Sequence, residues 1–199
     1  GNEIADKDIN TIINNVRKNL DLNKSDSLLD LGCGNGKLAS YFFKNINKYH
    51  GIDFSDYLLK IAKEDFYLKN KTTFQKLNLR HNYNQIKNAT IYNKVLCYGA
   101  FSYFGKKSGK SIIEVLGSKE NITSMYLGNI PNIKYSKEFF SNRNIVFYDL
   151  NDETSPIGVW WDFEELELYL RNEGFYTKKV TMPSDFYASK YRFDIYAFR

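Results

Sequence analysis

The stretch "SLLDLGCGNGKLASYF", residues Ser27–Phe42, decides the fold of this chain. It opens with the short apolar run Ser27–Leu31, which is typical of a buried β-strand. Three glycines then occupy five positions, and the residues from Lys37 to Lys44 predict a helix. Glycine has no Cβ, so such a turn bends sharply and lets its backbone come close to a neighbour. The stretch therefore predicts a strand, a tight glycine turn and a helix in direct succession.

The remainder of the chain alternates between strand and helix patterns. Ahead of the glycine turn, apolar residues spaced three and four apart predict a helix at Asp8–Leu20. After the turn, strands are predicted at Tyr49–Phe54, Thr73–Leu77, Asn93–Tyr98 and Thr123–Leu127, and helices at Tyr57–Lys69 and Ser111–Gly117. The last elements predicted are a helix at Phe163–Asn172, capped by Asp162, and strands at Phe175–Met182 and Tyr191–Phe198.

This alternation predicts an α/β fold. Strand–helix–strand connections place successive strands parallel and cover both faces of the sheet with helices. The last two strands have no helix between them, so they are expected to form an antiparallel hairpin. The prediction is a Rossmann-like, seven-stranded, mostly parallel sheet in a single domain, 1–199. A long irregular segment at 132–161 is interpreted as a lid over a binding site.

Composition argues against several classes of protein. The chain has 199 residues, 43% of them hydrophobic, and a formal net charge of +5. Its lysines are scattered, so nucleic-acid binding is not favoured. Cys33 and Cys97 have neither a metal-ligand nor a disulfide spacing. No apolar run reaches the roughly 18 residues of a membrane span, and the polar start shows no signal peptide. A cytoplasmic protein, monomeric or homodimeric, is expected.

The glycine turn discriminates between nucleotide ligands. A dinucleotide fingerprint that begins at Gly32 needs glycine at position 37, which is lysine. A P-loop needs a hydroxyl residue after Gly-Lys, and position 38 is leucine. Asp53 ends the next strand, about 20 positions on, where a carboxylate binds a ribose diol. The pattern therefore suits a nucleoside that has no pyrophosphate to be held. The alternatives are a plain tight turn and, for Asp53, a helix cap.

Several motifs resemble those of class I S-adenosylmethionine-dependent methyltransferases. "LDLGCGNG" is similar to the family's motif I, E/D-x-G-x-G-x-G, and "GIDFS" to its second motif. "KVLCYGAFSYF" resembles the strand and loop that face the methyl donor, and "WWDFEELELYLRNEGF" the helix before the terminal hairpin. The resemblance covers about Asp26–Arg199. It implies S-adenosyl-L-methionine as cofactor and S-adenosyl-L-homocysteine as product.

The resemblance also implies roles for individual residues. The cofactor's methionine end is expected at the glycine turn, its ribose and adenine after the second strand, and its methyl group at the end of the fourth. Asp30, Gly32, Cys33 and Gly34 are implied at the methionine end. Asp53 and Phe54 are implied at the ribose and adenine, with Asn78 and Leu79 on the base, and Tyr98 is implied near the methyl group. Asn78 stands where the family often has an acidic residue, and an amide oxygen still accepts a hydrogen bond.

Methyl transfer from a sulfonium is an in-line displacement, so an enzyme must align the reactants and exclude water. An oxygen nucleophile often also needs a base. The candidate catalytic residues are His81, Tyr98 and Tyr103, although a surface histidine and core tyrosines are alternatives. The acceptor is expected over the carboxyl ends of the strands, near Tyr103, Asn129 and Trp160. The sequence has no trio of acidic residues of the kind that would indicate a magnesium site, so no metal is predicted.

The sequence lacks the motifs of several classes of methyl acceptor. The loop "CYGAFSYF" lacks the Asn/Asp-Pro-Pro-Tyr motif, and neither an acidic trio nor paired loop glutamates are present, which argues against DNA, catechol and protein-arginine acceptors. A small molecule remains. "GNIP", "GVWWDFEEL" and "YRFDIYAF" resemble small methyltransferases of bacterial capsule and surface-glycan gene clusters, which implies O-methylation of a sugar, sugar nucleotide or phosphoramidate. N-methylation of an amine or amino sugar, an RNA or protein acceptor, and a non-catalytic binding module stay open.

Overall fold

The computed structural model describes residues 5–88 and 91–199 and has a single seven-stranded sheet at its centre. The strands are β1 (Ser27–Leu31), β2 (Lys48–Asp53), β3 (Thr72–Lys76), β4 (Lys94–Tyr98), β5 (Ser124–Pro131), β6 (Tyr176–Val180) and β7 (Arg192–Phe198). Their order is β3-β2-β1-β4-β5-β7-β6. Strands β1 to β5 pair in parallel, and β7 runs antiparallel to both β5 and β6. The predicted fold, including the terminal hairpin, is confirmed.

Helices cover both faces of this sheet. They are α1 (Asp6–Leu20), α2 (Lys37–Ser40), α3 (Asp56–Phe66), α4 (Leu79–Asn82), α5 (Lys106–Gly117), α6 (Ser136–Ser141) and α7 (Phe163–Asn172). Successive residues of β4 point to opposite faces, so Val95 packs in the core with α5 and α7, and Leu96 in the core with α1. Within the described residues, no helix is both long and apolar enough to cross a membrane.

Four helices differ from their predicted bounds. The helix α1 begins two residues early, at Asp6, and α3 ends three residues early, at Phe66. The other two differences are larger. The helix expected at Lys37–Lys44 ends at Ser40 and is followed by a 3₁₀ turn at Phe43–Asn45. The helix expected at Ser111–Gly117 begins earlier, at Lys106. Its first turns are polar and include Gly109, where a Cβ would come within 2.9 Å of the Trp161 ring. The apolar spacing is therefore weak there, although the backbone is helical.

The segment 132–161 has structure of its own. It begins with a 3₁₀ turn and α6, and it returns to the sheet edge through a bridge between Asn132 and Trp161. Phe139, Phe140 and Trp160 form a small apolar cluster inside it, separate from the two main cores. The segment is therefore a packed unit that lies at the carboxyl end of β5, where the sheet's ligand site is expected.

Asp30 is buried in the middle of β1, behind the glycine turn. Its Oδ2 accepts a hydrogen bond from the Tyr49 hydroxyl at 2.9 Å. Burial raises the pKa of the Asp30 carboxyl to about 7, and the Tyr49 hydrogen bond opposes this shift. The folded protein therefore holds a proton on Asp30 at pH values where the unfolded chain has lost it.

Asp30→Asn tests this linkage. Because the folded-state pKa is raised, protonation of Asp30 stabilises the fold at low pH, and this contribution is lost as pH rises towards 7. The asparagine variant has no such proton. The wild-type free energy of unfolding should therefore fall relative to the variant between pH 5 and 7, by up to about 1.4 kcal/mol per pH unit. Urea unfolding measures it, with exposed Asp65→Asn as control; parallel pH curves for wild type and Asp30→Asn would contradict the assignment.

Candidate active site

A cavity of about 390 Å³ opens at the carboxyl ends of the parallel strands. Its walls come from the turn after β1, the end of β2, the start of α4 and the loop after β4. This size falls within the range of about 300–1,000 Å³ that is usual for small-molecule sites. The position is where open α/β sheets bind their ligands, since strand order reverses between β1 and β4. It is called the glycine-turn cavity below.

Each glycine of the turn is required for a different reason. Gly32, Gly34 and Gly36 all have left-handed φ angles, of 74°, 55° and 76°. A Cβ on Gly32 would overlap the Ala100 side chain, and one on Gly36 would lie 3.2 Å from Phe74. The space beside Gly34 is open, with its nearest contact 4.0 Å away on Leu58. Gly32 and Gly36 therefore allow close packing, whereas Gly34 keeps the cavity wall free of side-chain atoms.

Asp53 connects the turn to the end of β2. Its Oδ2 accepts the Gly34 N–H at 2.9 Å, and its Oδ1 accepts the Ser55 N–H at 2.9 Å. The residue is only 7% exposed and lies in the cavity wall. Each carboxylate oxygen keeps a further lone pair for a ligand hydroxyl. Beside it, Phe54 is 68% exposed and also lines the cavity, so one ring face is available for stacking.

Asn78 and Leu79 form the opposite side of the cavity. The Asn78 Oδ1 accepts the Arg80 N–H at 3.1 Å, so this side chain caps α4. Leu79 is buried, and both residues contribute to the wall. The structure thus places the two residues predicted to contact a base together with Asp53 and Phe54. The cap engages one lone pair of the amide oxygen and leaves another.

Arg80 ties the segment 132–161 to the cavity rim. Its Nη2 donates to the carbonyl oxygens of Tyr103, at 2.9 Å, and Glu153, at 2.6 Å. The Tyr103 hydroxyl in turn donates to the Pro156 carbonyl oxygen at 2.7 Å. Arg80 and Tyr103 both line the cavity. Arg80 was not predicted from the sequence, because its partners, two backbone carbonyl groups and the Glu153 carboxylate at 3.4 Å, lie far away along the chain.

Six of the predicted site residues lie outside the cavity wall; Tyr98, Asn129 and Trp160 are described below, and the other three are Asp30, Cys33 and His81. Asp30 is buried beneath the turn. The Cys33 sulfur points to the same interior region, since a Cβ on Gly51 would lie 2.7 Å from it. His81 is exposed on α4. The structure therefore does not bring these side chains together with Asp53 and Phe54.

The expectation that Trp160 contacts the acceptor requires a correction. Its ring is 1% exposed and packs edge-on against Phe139, with ring centroids 5.2 Å apart. A ring enclosed on all sides has no face to offer a ligand. Trp160 is a core residue of the segment 132–161, which is the packing alternative that an aromatic-rich sequence also allows.

A second polar group lies beyond the cavity, at the ends of β4, β5 and β7. Tyr98 and Asn129 belong to it, and Asp194 is buried between the strands at 2% exposure. The Asp194 Oδ2 accepts the Tyr126 hydroxyl at 2.6 Å. Burial raises the Asp194 pKa to about 6. The sequence analysis missed Asp194, although an acidic residue within the apolar strand "YRFDIYAF" is a usable signal.

Part of the chain matches a family of known proteins. Residues 29–118, a little under half of the chain, match the family model described as "Methyltransferase domain". The comparison with curated proteins gave no significant match. This matched range contains the glycine turn, Asp53 and the loop after β4, so the sequence match and the cavity coincide.

Solved structures share the fold over nearly the whole chain. Magnesium protoporphyrin IX methyltransferase from Synechocystis PCC 6803, with bound SAH, is 16% identical, covers 97% of this chain and 82% of its own, and has a TM-score of 0.67. A SAM-dependent methyltransferase from Archaeoglobus fulgidus is 14% identical, with coverage of 96% and 94% and a TM-score of 0.67. A small RNA methyltransferase is 13% identical, covers 98% of this chain but 25% of its own, and has a TM-score of 0.67.

The family match and the site together confirm the prediction of an S-adenosylmethionine-dependent methyltransferase. The particular cofactor, S-adenosylmethionine, is confirmed with it. The structural neighbours act on acceptors as different as a porphyrin and small RNA, so the shared fold leaves the acceptor of this chain undetermined.

Asp53→Ala tests the donor side of the cavity. Removal of the carboxylate deletes a ligand acceptor and frees the Gly34 N–H, so S-adenosylhomocysteine should bind at least about 30-fold more weakly, a loss of about 2 kcal/mol. Isothermal titration calorimetry measures the affinity. Asp56→Ala is the matched control, because Asp56 is exposed and its carboxylate pairs with Lys76 outside this cavity. Unchanged affinity in Asp53→Ala would contradict a ligand role for Asp53.

Proposed function

We propose that this protein transfers the methyl group of S-adenosylmethionine to a hydroxyl of a small molecule. The acceptor class is a sugar, sugar nucleotide or phosphoramidate intermediate of surface-glycan biosynthesis. The observation that carries the small-molecule proposal is the attachment of the segment 132–161 to the cavity rim by Arg80 and Tyr103. A segment attached at the rim limits the space beside the cavity, which favours a compact acceptor and the exclusion of water from the reacting groups.

Within this proposal the cofactor lies along the glycine-turn cavity. Asp53 accepts hydrogen bonds from the ribose hydroxyls, and the exposed face of Phe54 stacks on the adenine. Asn78 and Leu79 contact the other side of the base. The methionine end lies over the open backbone at Gly34. The support for this arrangement is that Gly34, Asp53, Phe54, Asn78 and Leu79 all line the same cavity.

The proposed chemistry relies on alignment more than on a strong base. Burial raises the pKa of the Tyr98 hydroxyl well above its ordinary value, so Tyr98 is a neutral phenol at physiological pH. It can orient an acceptor by a hydrogen bond, but it does not remove a proton. Tyr103 has its hydroxyl proton engaged by Pro156 and presents its oxygen lone pairs at the cavity rim. His81, exposed outside the wall, is the weakest of the three catalytic candidates.

A transfer assay with radiolabelled S-adenosylmethionine tests the acceptor class. The panel comprises neutral sugars, sugar nucleotides, phosphorylated sugars, an amino sugar and a short RNA. Label is expected in a hydroxyl-bearing sugar or sugar nucleotide, and Asp53→Ala should lower the rate at least tenfold at limiting donor. Label in the amine of the amino sugar would establish N-methylation instead. Labelling of RNA alone would contradict the proposal.

Tyr103→Phe tests whether the segment 132–161 is fastened as the structure shows. The variant keeps the ring in the cavity wall and removes only the hydroxyl that binds Pro156. One hydrogen bond contributes about 1 kcal/mol, so amide exchange at Gly158 and Val159 should become about fivefold faster. Hydrogen exchange with mass spectrometry measures it. Tyr135→Phe, an exposed tyrosine at the start of the same segment, is the control; equal exchange in both variants would contradict the attachment.

A further inference from the structure

Asn129 has an unusual backbone for a residue inside a strand. Its φ angle is 61°, and it lies where the pairing of β5 with β7 shifts register between Leu127 and Ile130. A left-handed conformation within a strand is uncommon for residues other than glycine, and such strain persists only where the surroundings enforce it. The conformation therefore requires an explanation from its neighbours.

Two charged residues of β7 hold Asn129 in place. The Asp194 Oδ1 accepts the Asn129 N–H at 2.7 Å, and the Arg192 Nη1 donates to the Asn129 carbonyl oxygen at 2.5 Å. Asp194 is itself fixed by the Tyr126 hydroxyl. Both backbone groups of Asn129 are thus engaged by side chains of the neighbouring strand. This fixes the Asn129 backbone and therefore the direction of its Cα–Cβ bond.

The Asn129 carboxamide lies next to Gly99, at the edge of the glycine-turn cavity. Its Nδ2 lies 3.5 Å from the position that a Cβ on Gly99 would take, and Gly99 lines the glycine-turn cavity. The Asn129 Oδ1 and the Tyr98 hydroxyl are both buried and have no hydrogen-bond partner among the residues that the structure describes. An unsatisfied buried polar atom costs about 1–3 kcal/mol, so two of them in this position indicate a ligand that satisfies them.

We propose that the Asn129 carboxamide oxygen accepts a hydrogen bond from the nucleophilic group of the methyl acceptor, and that Asp194 is the positioning residue that holds it there. This inference rests on the proposed function and sharpens it. An oxygen that only accepts a hydrogen bond selects a nucleophile that bears a proton, so the acceptor group is a hydroxyl or an amine. The Tyr98 hydroxyl, which both donates and accepts, completes the pair of contacts.

Sinefungin tests the proposal without knowledge of the acceptor, because its amine stands where S-adenosylmethionine carries the transferable methyl group. That amine should donate to the Asn129 Oδ1. Asn129→Gly removes the carboxamide, and glycine adopts the left-handed backbone without strain. We expect the variant to bind sinefungin about tenfold more weakly and S-adenosylhomocysteine within twofold of wild type, as measured by calorimetry. Asn70→Gly is the matched control, since Asn70 also has a left-handed φ, of 63°, away from the site.

Asp194→Asn separates positioning from general stability. If Asp194 acts through Asn129, the double variant Asn129→Gly/Asp194→Asn should bind sinefungin no more weakly than Asn129→Gly alone. An unchanged ratio of sinefungin to S-adenosylhomocysteine affinity in Asn129→Gly would overturn the inference. Additive losses in the double variant would overturn the role of Asp194. If only the proposed function is wrong, the result is different: the wild-type protein would label no compound of the panel, whereas Asn129→Gly would still lower the affinity for sinefungin.

Discussion

The methyl-donor side of the site depends on the hydrogen bonds that join the turn after β1 to the end of β2. The Asp53 carboxylate accepts the N–H groups of Gly34 and Ser55, and the Ile52 carbonyl accepts those of Gly32 and Cys33 at 2.7 and 3.0 Å. These bonds hold the turn flat against the sheet edge. Because the turn is fixed there, the loop after β4 can pack on Gly32 and close the cavity from the other side. A ligand bound in the cavity thus meets backbone that is already in place.

Most of the fold, and the cofactor half of the site, follow from local sequence patterns. Three local features predict them: the glycine spacing, the acidic residue at the end of β2 and the alternation of strands with helices. Each spans at most a few tens of residues, so it can be recognised in the sequence. Asp53, Phe54, Asn78 and Leu79 accordingly share one cavity wall. The helix α7 was also predicted to its residue, because an Asp cap and a following glycine mark both of its ends.

The proposed acceptor half was predicted only in part: Tyr98, Tyr103 and Asn129 were named, but the contacts that hold them join residues that are distant along the chain. The Asp194 carboxylate meets Asn129 across 65 positions, and Arg80 meets Glu153 across 73. No local sequence pattern predicts which of these distant residues are in contact. Trp160 shows the opposite difficulty: adjacent tryptophans next to a predicted lid indicate a ligand surface, yet Trp160 is needed to give the segment 132–161 a core. Composition alone does not distinguish these two uses of an aromatic ring.

The position of β7 has a consequence for the order in which the site is assembled during synthesis. The matched range 29–118 contains the cofactor-binding turn and its cavity, and its strand pairings connect β1 to β4. β7 inserts between β5 and β6 and brings Arg192 and Asp194 to the acceptor side last. During synthesis, the part of the sheet from β1 to β4 can therefore form before the part that is proposed to align a nucleophile has been synthesised. Because the proposed role of Asn129 depends on Asp194 and Arg192, methyl transfer in that proposal requires the complete sheet.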